Sequence, residues 1–244
     1  MSELRSVHVW DRGTRLFHWI NGFCVLGLMG VGFLILNASA LDASNEGKRL
    51  LKTIHVWIGY VFVINLAWRL VWGFIGSETA RWKAILPGGR GYLGELREYL
   101  SALFGSKPQP HGGHNPAGRL AVAAMLLVLL SQGITGIFIA GTDIFYPPFG
   151  NMIAQWVAAP GVDPATLQPY APETYNPETY KEMRSIRGPI ADVHKWGFYT
   201  LVVLVALHLI GVVVTEIRER SGIVSAMITG KKTLYRAESE TENR

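Results

Sequence analysis

Residues 193–215 read VHKWGFYTLVVLVALHLIGVVVT. The stretch is charged only at Lys195 and is long enough to cross the ~30 Å hydrocarbon core of a bilayer as a helix. Two histidines, His194 and His208, interrupt it. Ionisable groups at membrane depth are costly and usually functional. Fourteen residues advance a helix by about 21 Å and leave two side chains about 40° apart. The two imidazoles therefore share one face at two depths.

Working outward, three more stretches qualify as spans: 16–36, uncharged at neutral pH; 53–75, with Arg69 near its end; and 120–141, uncharged. An all-α, polytopic bundle of four transmembrane helices is expected. Of the 23 Lys and Arg, fifteen fall in the N-terminus up to Arg15, in 76–119 and in the tail from 216, and six in 37–52 and 142–189. The positive-inside rule then puts both termini in the cytoplasm of a multi-pass protein of the bacterial inner membrane. Span 16–36 is too long, and its cleavage signal too poor, for a removable signal peptide.

Composition agrees. Of 244 residues 49% are apolar and 17% charged, below the ~25% charge of a soluble domain. A soluble enzyme is excluded. The net charge of +5 sits beside apolar spans, which favours a membrane surface over nucleic acid. The single cysteine, Cys24, excludes an internal disulfide, a Cys-rich metal site and covalent c-type haem.

One integral membrane domain is expected over 1–235, with a polar tail at 236–244. Segment 92–104 reads as an amphipathic surface helix, and 105–118 as a turn-rich connection. The segment 142–189 holds eight of the 12 prolines. It reads as a long outer loop that covers a site or meets a partner, or as an irregular cap.

Two other histidines lie in spans. His18 falls near the cytoplasmic end of the first, and His55 near the outer end of the second. By depth, His55 faces His194 near the outside, and His18 faces His208 near the cytoplasm. Any one alone could be an interhelical hydrogen-bond partner. Two His–His pairs at two depths suit two six-coordinate b haems, with both axial positions filled for electron transfer. Zinc or copper would need all four in one coordination sphere, and a proton relay does not require the pairing. Glycines in spans 16–36 and 120–141 would let helices or a flat macrocycle approach closely. Arg15 and Lys52 each lie three residues before a histidine. Either could meet haem propionates or simply anchor a helix end. Trp19, Trp57 and Trp196 read mainly as interfacial anchors.

R-L-F-H-W (15–19), the His55 helix, H-N-P-A-G-R (114–119), the His194/His208 helix and M-I-T-G-K-K (227–232) together resemble the bacterial cytochrome b561 and hydrogenase b-type cytochrome family. That family includes the membrane anchors of nickel–iron hydrogenases and the related gamma subunit of formate dehydrogenase. The resemblance spans about 5–232. It implies two b haems held by His18, His55, His194 and His208, a quinone site near the cytoplasmic haem, and a periplasmic redox partner, either hydrogenase-like or cytochrome c-like. Asn115 and Gly118 resemble the turn beside the quinone site of the gamma subunit, and His114 could exchange a proton there. The plainer reading makes Asn115 a helix cap with Pro116 at the first helical position.

The expected function is electron transfer across the membrane between the periplasmic partner and the quinone pool. The alternative is a stand-alone quinone-linked oxidoreductase, such as a superoxide:quinone oxidoreductase. A passive anchor whose histidines only pack would show no haem spectrum.

Overall fold

The computed structural model describes residues 4–105 and 111–235. The tail expected at 236–244, and part of the connection at 105–118, lie outside the described residues. The elements in chain order are β1 (Leu4–His8), α1 (Arg12–Leu36), α2 (Asn45–Ile75), α3 (Trp82–Ile85), α4 (Tyr92–Phe104), α5 (Pro116–Ile144), α6 (Gly150–Val157), α7 (Pro177–Glu219), α8 (Ile223–Thr229) and β2 (Lys231–Tyr235). Helices α1, α2, α5 and α7 are long and apolar enough to cross a membrane. Their outward side chains have no protein to cover them: Phe23, Ile64, Leu127 and Ile134 are each 70–71% exposed, as lipid-facing surface requires.

All four helices begin upstream of the stretch that hydropathy marks. A helix starts where its first N–H groups find an acceptor, not where apolar sequence begins. Asp11 Oδ1 accepts from the Thr14 N–H at 2.7 Å, and Ser44 Oγ from Gly47 at 3.1 Å. Asn115 Oδ1 accepts from Gly118 at 2.7 Å, and Asn176 Oδ1 from Glu178 at 3.0 Å and Thr179 at 3.3 Å. Pro116 and Pro177 open α5 and α7, where the missing N–H costs nothing.

The largest difference is at 142–189, which is no loop of that length. Helix α5 runs to Ile144 and α7 starts at Pro177, with Pro189 inside it. Between them lie α6 and two 3-10 turns, Pro164–Thr166 and Pro172–Thr174. Three of the prolines thus start helical turns. Ile153, Ala154, Val157, Leu167, Tyr175 and Met183 form a buried cluster, flanked by Phe145, Val162 and Tyr180. Segment 145–176 and the start of α7 are a packed cap.

The chain forms two compact units. The first draws on Met1–Trp19, Ala67–Leu127 and Val203–Arg244, the second on Ile20–Leu66 and Val128–Val202. In the first, β1 and β2 pair antiparallel, His8 opposite Lys231. Five polar-rich residues per strand left no signal of this ribbon in the sequence. The N–H groups of Val9 and Trp10 both donate to the Gly230 carbonyl. Gly230 has φ +84, and a Cβ there would lie 2.7 Å from the Trp10 oxygen, so only glycine fits. The cap belongs to the second unit.

Candidate functional site

In the second unit, His55 of α2 and His194 of α7 face one another, their ring centroids 6.3 Å apart at 76°. Each ring lies against a glycine. A Cβ on Gly32 would come 3.4 Å from His55 Cε1, and one on Gly136 3.3 Å from His194 Cε1. The Thr135 hydroxyl donates to the Ser131 carbonyl at 2.6 Å, so its oxygen accepts from His194 Nδ1 at 2.9 Å. That bond fixes the tautomer and leaves Nε2 as a lone-pair donor, the usual way a ligating imidazole is oriented. Gln132 Nε2 donates to the His194 carbonyl at 3.0 Å. His55 Nδ1 is buried without a hydrogen-bond partner among the described residues.

Both imidazoles line a cavity of about 360 Å³, walled by Leu28, Met29, Val63 and Phe198 among others. Lys52, Asp143 and Arg187 line it too. Asp143 bridges the two cations, 2.5 Å from Lys52 Nζ and 2.9 Å from Arg187 Nη2.

In the first unit, His18 of α1 and His208 of α7 have centroids 6.4 Å apart at 52°. Among the described residues, His18 Nδ1 is buried without a hydrogen-bond partner. Arg69 is only 5% exposed. It donates to the Ala80 carbonyl at 3.0 Å and lies over the Phe17 and Trp82 rings. Among the described residues its Nη1 has no hydrogen-bond partner and it has no ion pair. Arg15 donates from Nη1 to the Ile228 carbonyl, and its buried Nε has no hydrogen-bond partner among the described residues.

The 114–119 turn is held by side-chain hydrogen bonds and carries the helix cap. Asn115 caps α5 with Oδ1, and its Nδ2 donates to Tyr99 Oη at 2.6 Å and to Glu219 Oε1 at 3.3 Å. Tyr99 in turn donates to Glu219 at 2.8 Å, and burial first, then Glu219, raises its phenol pKa. His114 packs on Trp10 at 4.6 Å. Burial, then Lys232, Arg69 and Arg119, hold its imidazole down at about 4, so it is neutral at pH 7. Arg119 donates to the Leu86 carbonyl at 2.9 Å.

The structure therefore brings together His55 with His194 and His18 with His208. A metal–imidazole bond of about 2 Å, plus roughly 1 Å from ring nitrogen to ring centre, sets two axial imidazoles on one iron about 6 Å apart. Both pairs have that spacing. The donors suit haem iron, and the apolar cavity suits a porphyrin. Among the described residues no group of three or more His, Cys, Asp and Glu is gathered for an ion. Asp143, Arg187, Thr135 and Arg69 were not singled out from sequence. Only spacing hints at two of them: Asp143 lies seven residues beyond Gly136, and Arg187 seven before His194, two helical turns each.

Residues 9–230 match the family described as prokaryotic cytochrome b561. A probable Ni/Fe-hydrogenase B-type cytochrome subunit of Rhizobium leguminosarum bv. viciae is 28% identical over 245 residues, covering 94% of this chain and 90% of the relative. The protein of that description from Bradyrhizobium diazoefficiens is 26% identical over 240 residues, covering 93% and 86%. The probable Ni/Fe-hydrogenase 1 B-type cytochrome subunit of Escherichia coli K12 is 30% identical over 141 residues, 54% of this chain and 59% of that one.

Proposed function

We propose, because this chain belongs to the prokaryotic cytochrome b561 family, that it binds two b haems and moves electrons between a periplasmic redox protein and the quinone pool. The chain is a bacterial multi-pass membrane protein and a b-type cytochrome. His55 with His194 holds one haem, and His18 with His208 the other. The observation behind this reading is the pair of imidazole spacings, 6.3 and 6.4 Å. A haem held by these histidines would supply a one-electron iron couple for electron transfer. The chain's own residues hold the rings apart, fix the His194 tautomer through Thr135, and keep water out with apolar walls.

Relatives across more than 90% of this chain are named as hydrogenase cytochrome subunits, which makes a hydrogenase-like catalytic subunit the favoured partner. Both termini are read as cytoplasmic from the Lys and Arg distribution. The cap then faces the periplasm and presents Phe149, Met152 and Trp156, all partly or largely exposed, to the partner. A quinone is assigned to the first unit, near His208, Asn115 and Gly118. Asn115 there acts through the shape of the turn, since its oxygen and amide already have partners.

Purification in mild detergent with pyridine haemochrome analysis tests the core reading. Two b haems per chain are expected, and a folded, haem-free protein would remove it. Met152→Asp with Trp156→Ala should keep both haems and slow their reduction by a co-purified partner. An unchanged rate would move the docking surface elsewhere. Co-purification of a hydrogenase favours the subunit reading over the stand-alone oxidoreductase.

A further inference from the structure

We infer that Lys52 and Arg187 form the carboxylate-binding end of the second unit's cavity, receiving the propionates of its haem, and that Asp143 is the positioning residue that aims both cations there. The inference rests on the reading of His55 and His194 as ligands of that haem.

Three observations carry it. First, Lys52, Asp143, Arg187, His55 and His194 all line one cavity. The charged end and the ligand end therefore belong to one site. Second, charge does not balance there. Asp192 and Lys195 also line the cavity but pair with each other, whereas Lys52 and Arg187 share one carboxylate, leaving one positive charge over among side chains only 16–18% exposed. Asp143 takes one Nη of Arg187, while Arg187 Nε is buried without a hydrogen-bond partner among the described residues. A guanidinium donates five N–H in a fork suited to carboxylates, so it has donors left for another anion. Third, the register is right. Arg187 stands seven residues before His194 and Lys52 three before His55, about 10 and 4.5 Å along their helices on nearly the same faces as the imidazoles. Asp143 lies on α5, seven residues beyond the Gly136 that touches His194. Cations from two helices are thus drawn together by a carboxylate on a third.

The electrostatic consequence has a sign. Reduction adds an electron, so nearby positive charge favours the reduced haem and nearby negative charge the oxidised one. Each neutralisation changes the reduced-to-oxidised ratio of the second-unit haem by about tenfold, which is about 59 mV for one electron. Redox titration of the purified full-length protein reads both haems, with the second-unit haem identified as the component lost in His55→Ala. Arg187→Gln and Lys52→Gln should lower its midpoint potential, and Asp143→Asn should raise it, with the other haem unmoved. Arg187→Lys should return most of the potential.

A triad that only ties the helices together, away from the haem, predicts no opposite signs. If all three neutralisations leave the potential in place, or all shift it in one direction, the inference falls. Should Arg187→Gln lose the haem altogether, Asp143→Asn still decides: a raised potential supports the assignment and an unchanged or lowered one overturns it. If His55→Ala removes no haem component, the ligand reading fails instead, independently of the triad.

Discussion

In the second unit, His194 is oriented by Thr135, and Lys52 and Arg187 both reach Asp143. In the first unit, among the described residues, His18 Nδ1 has no hydrogen-bond partner, and the buried Arg69 has neither an ion pair nor a partner for Nη1. Nearly equal imidazole spacings are thus set in different surroundings. A buried polar group without a partner costs about 1–3 kcal/mol, and a buried charge more. Both units leave polar atoms for a ligand to answer, His55 Nδ1 and Arg187 Nε in the second and His18 Nδ1, Arg15 Nε and Arg69 Nη1 in the first. Only the second holds its cations against a carboxylate among the described residues, so the order of the first should depend more on its ligand being bound.

The severest test is removal of ligands. His55→Ala and His194→Ala should each abolish one and the same haem component, and His18→Ala and His208→Ala the other, halving haem per chain. Difference spectra and haemochrome analysis read this directly. If His18→Ala and His55→Ala removed a common component alone, the pairing would be broken.

Next comes Thr135. Thr135→Val keeps the shape and deletes the acceptor for His194 Nδ1. Loss of such an orienting bond typically costs 10–100-fold in metal affinity, so the second-unit haem should pass to a scavenging apoprotein at least tenfold faster. Thr135→Ser should stay near the parent, and the first-unit haem should be unaffected in both. Equal transfer rates from the Val variant and the parent would show that the Thr135–His194 bond orients nothing.

Arg69 sharpens the other half of the comparison. Arg69→Met deletes the hydrogen bond to Ala80 and the stacking on Phe17 and Trp82, together worth about 2 kcal/mol. In haem-depleted protein that loss is offset in part, because a buried charge with no ion pair among the described residues disappears with it. Thermal denaturation should therefore show a larger drop in the haem-loaded form than in the depleted form. Equal drops would mean that Arg69 only packs.

Much of this was legible in the sequence, and the reasons for the remainder are physical. The spans announce themselves because 20 uncharged residues have few other uses. The histidine pairing follows from helix rise alone: a fourteen-residue separation fixes face and depth together. The helices start earlier than the apolar spans because capping side chains such as Asp11 and Asn176 sit outside the apolar run. The segment 142–189 misled because proline density reads as irregularity, whereas Pro164, Pro172 and Pro177 each sit at a first helical position, where proline is favoured. Glu219 left no trace in the sequence, and Asp143 only its seven-residue spacing from Gly136. Each gains its meaning from partners on other helices, and no local pattern marks a carboxylate that will bridge them.

Asn115 yields the smallest effect and tests how the first unit's turn works. As a cap, Asn115→Ala should cost about 1 kcal/mol. Its loss also removes an amide donor from the Tyr99 hydroxyl and from Glu219, which is 3% exposed. Tyr99 still donates to Glu219, so the carboxylate keeps a partner and the fold survives. Gly118 shares the turn: a Cβ there would come 3.0 Å from Asn115 Oδ1, so Gly118→Ala should disturb the same cap by pushing on it. If this turn shapes a quinone slot, both variants should slow quinone reduction or oxidation severalfold while haem content and partner-driven haem reduction stay near the parent. Asn115→Asp separates the two roles. Aspartate caps as well as asparagine does but cannot donate to Tyr99, and it sets a second carboxylate beside Glu219. Quinone kinetics that fall in Asn115→Asp while thermal stability holds would tie the slot to the amide donor. Kinetics that track stability through all three variants would leave Asn115 as a cap alone.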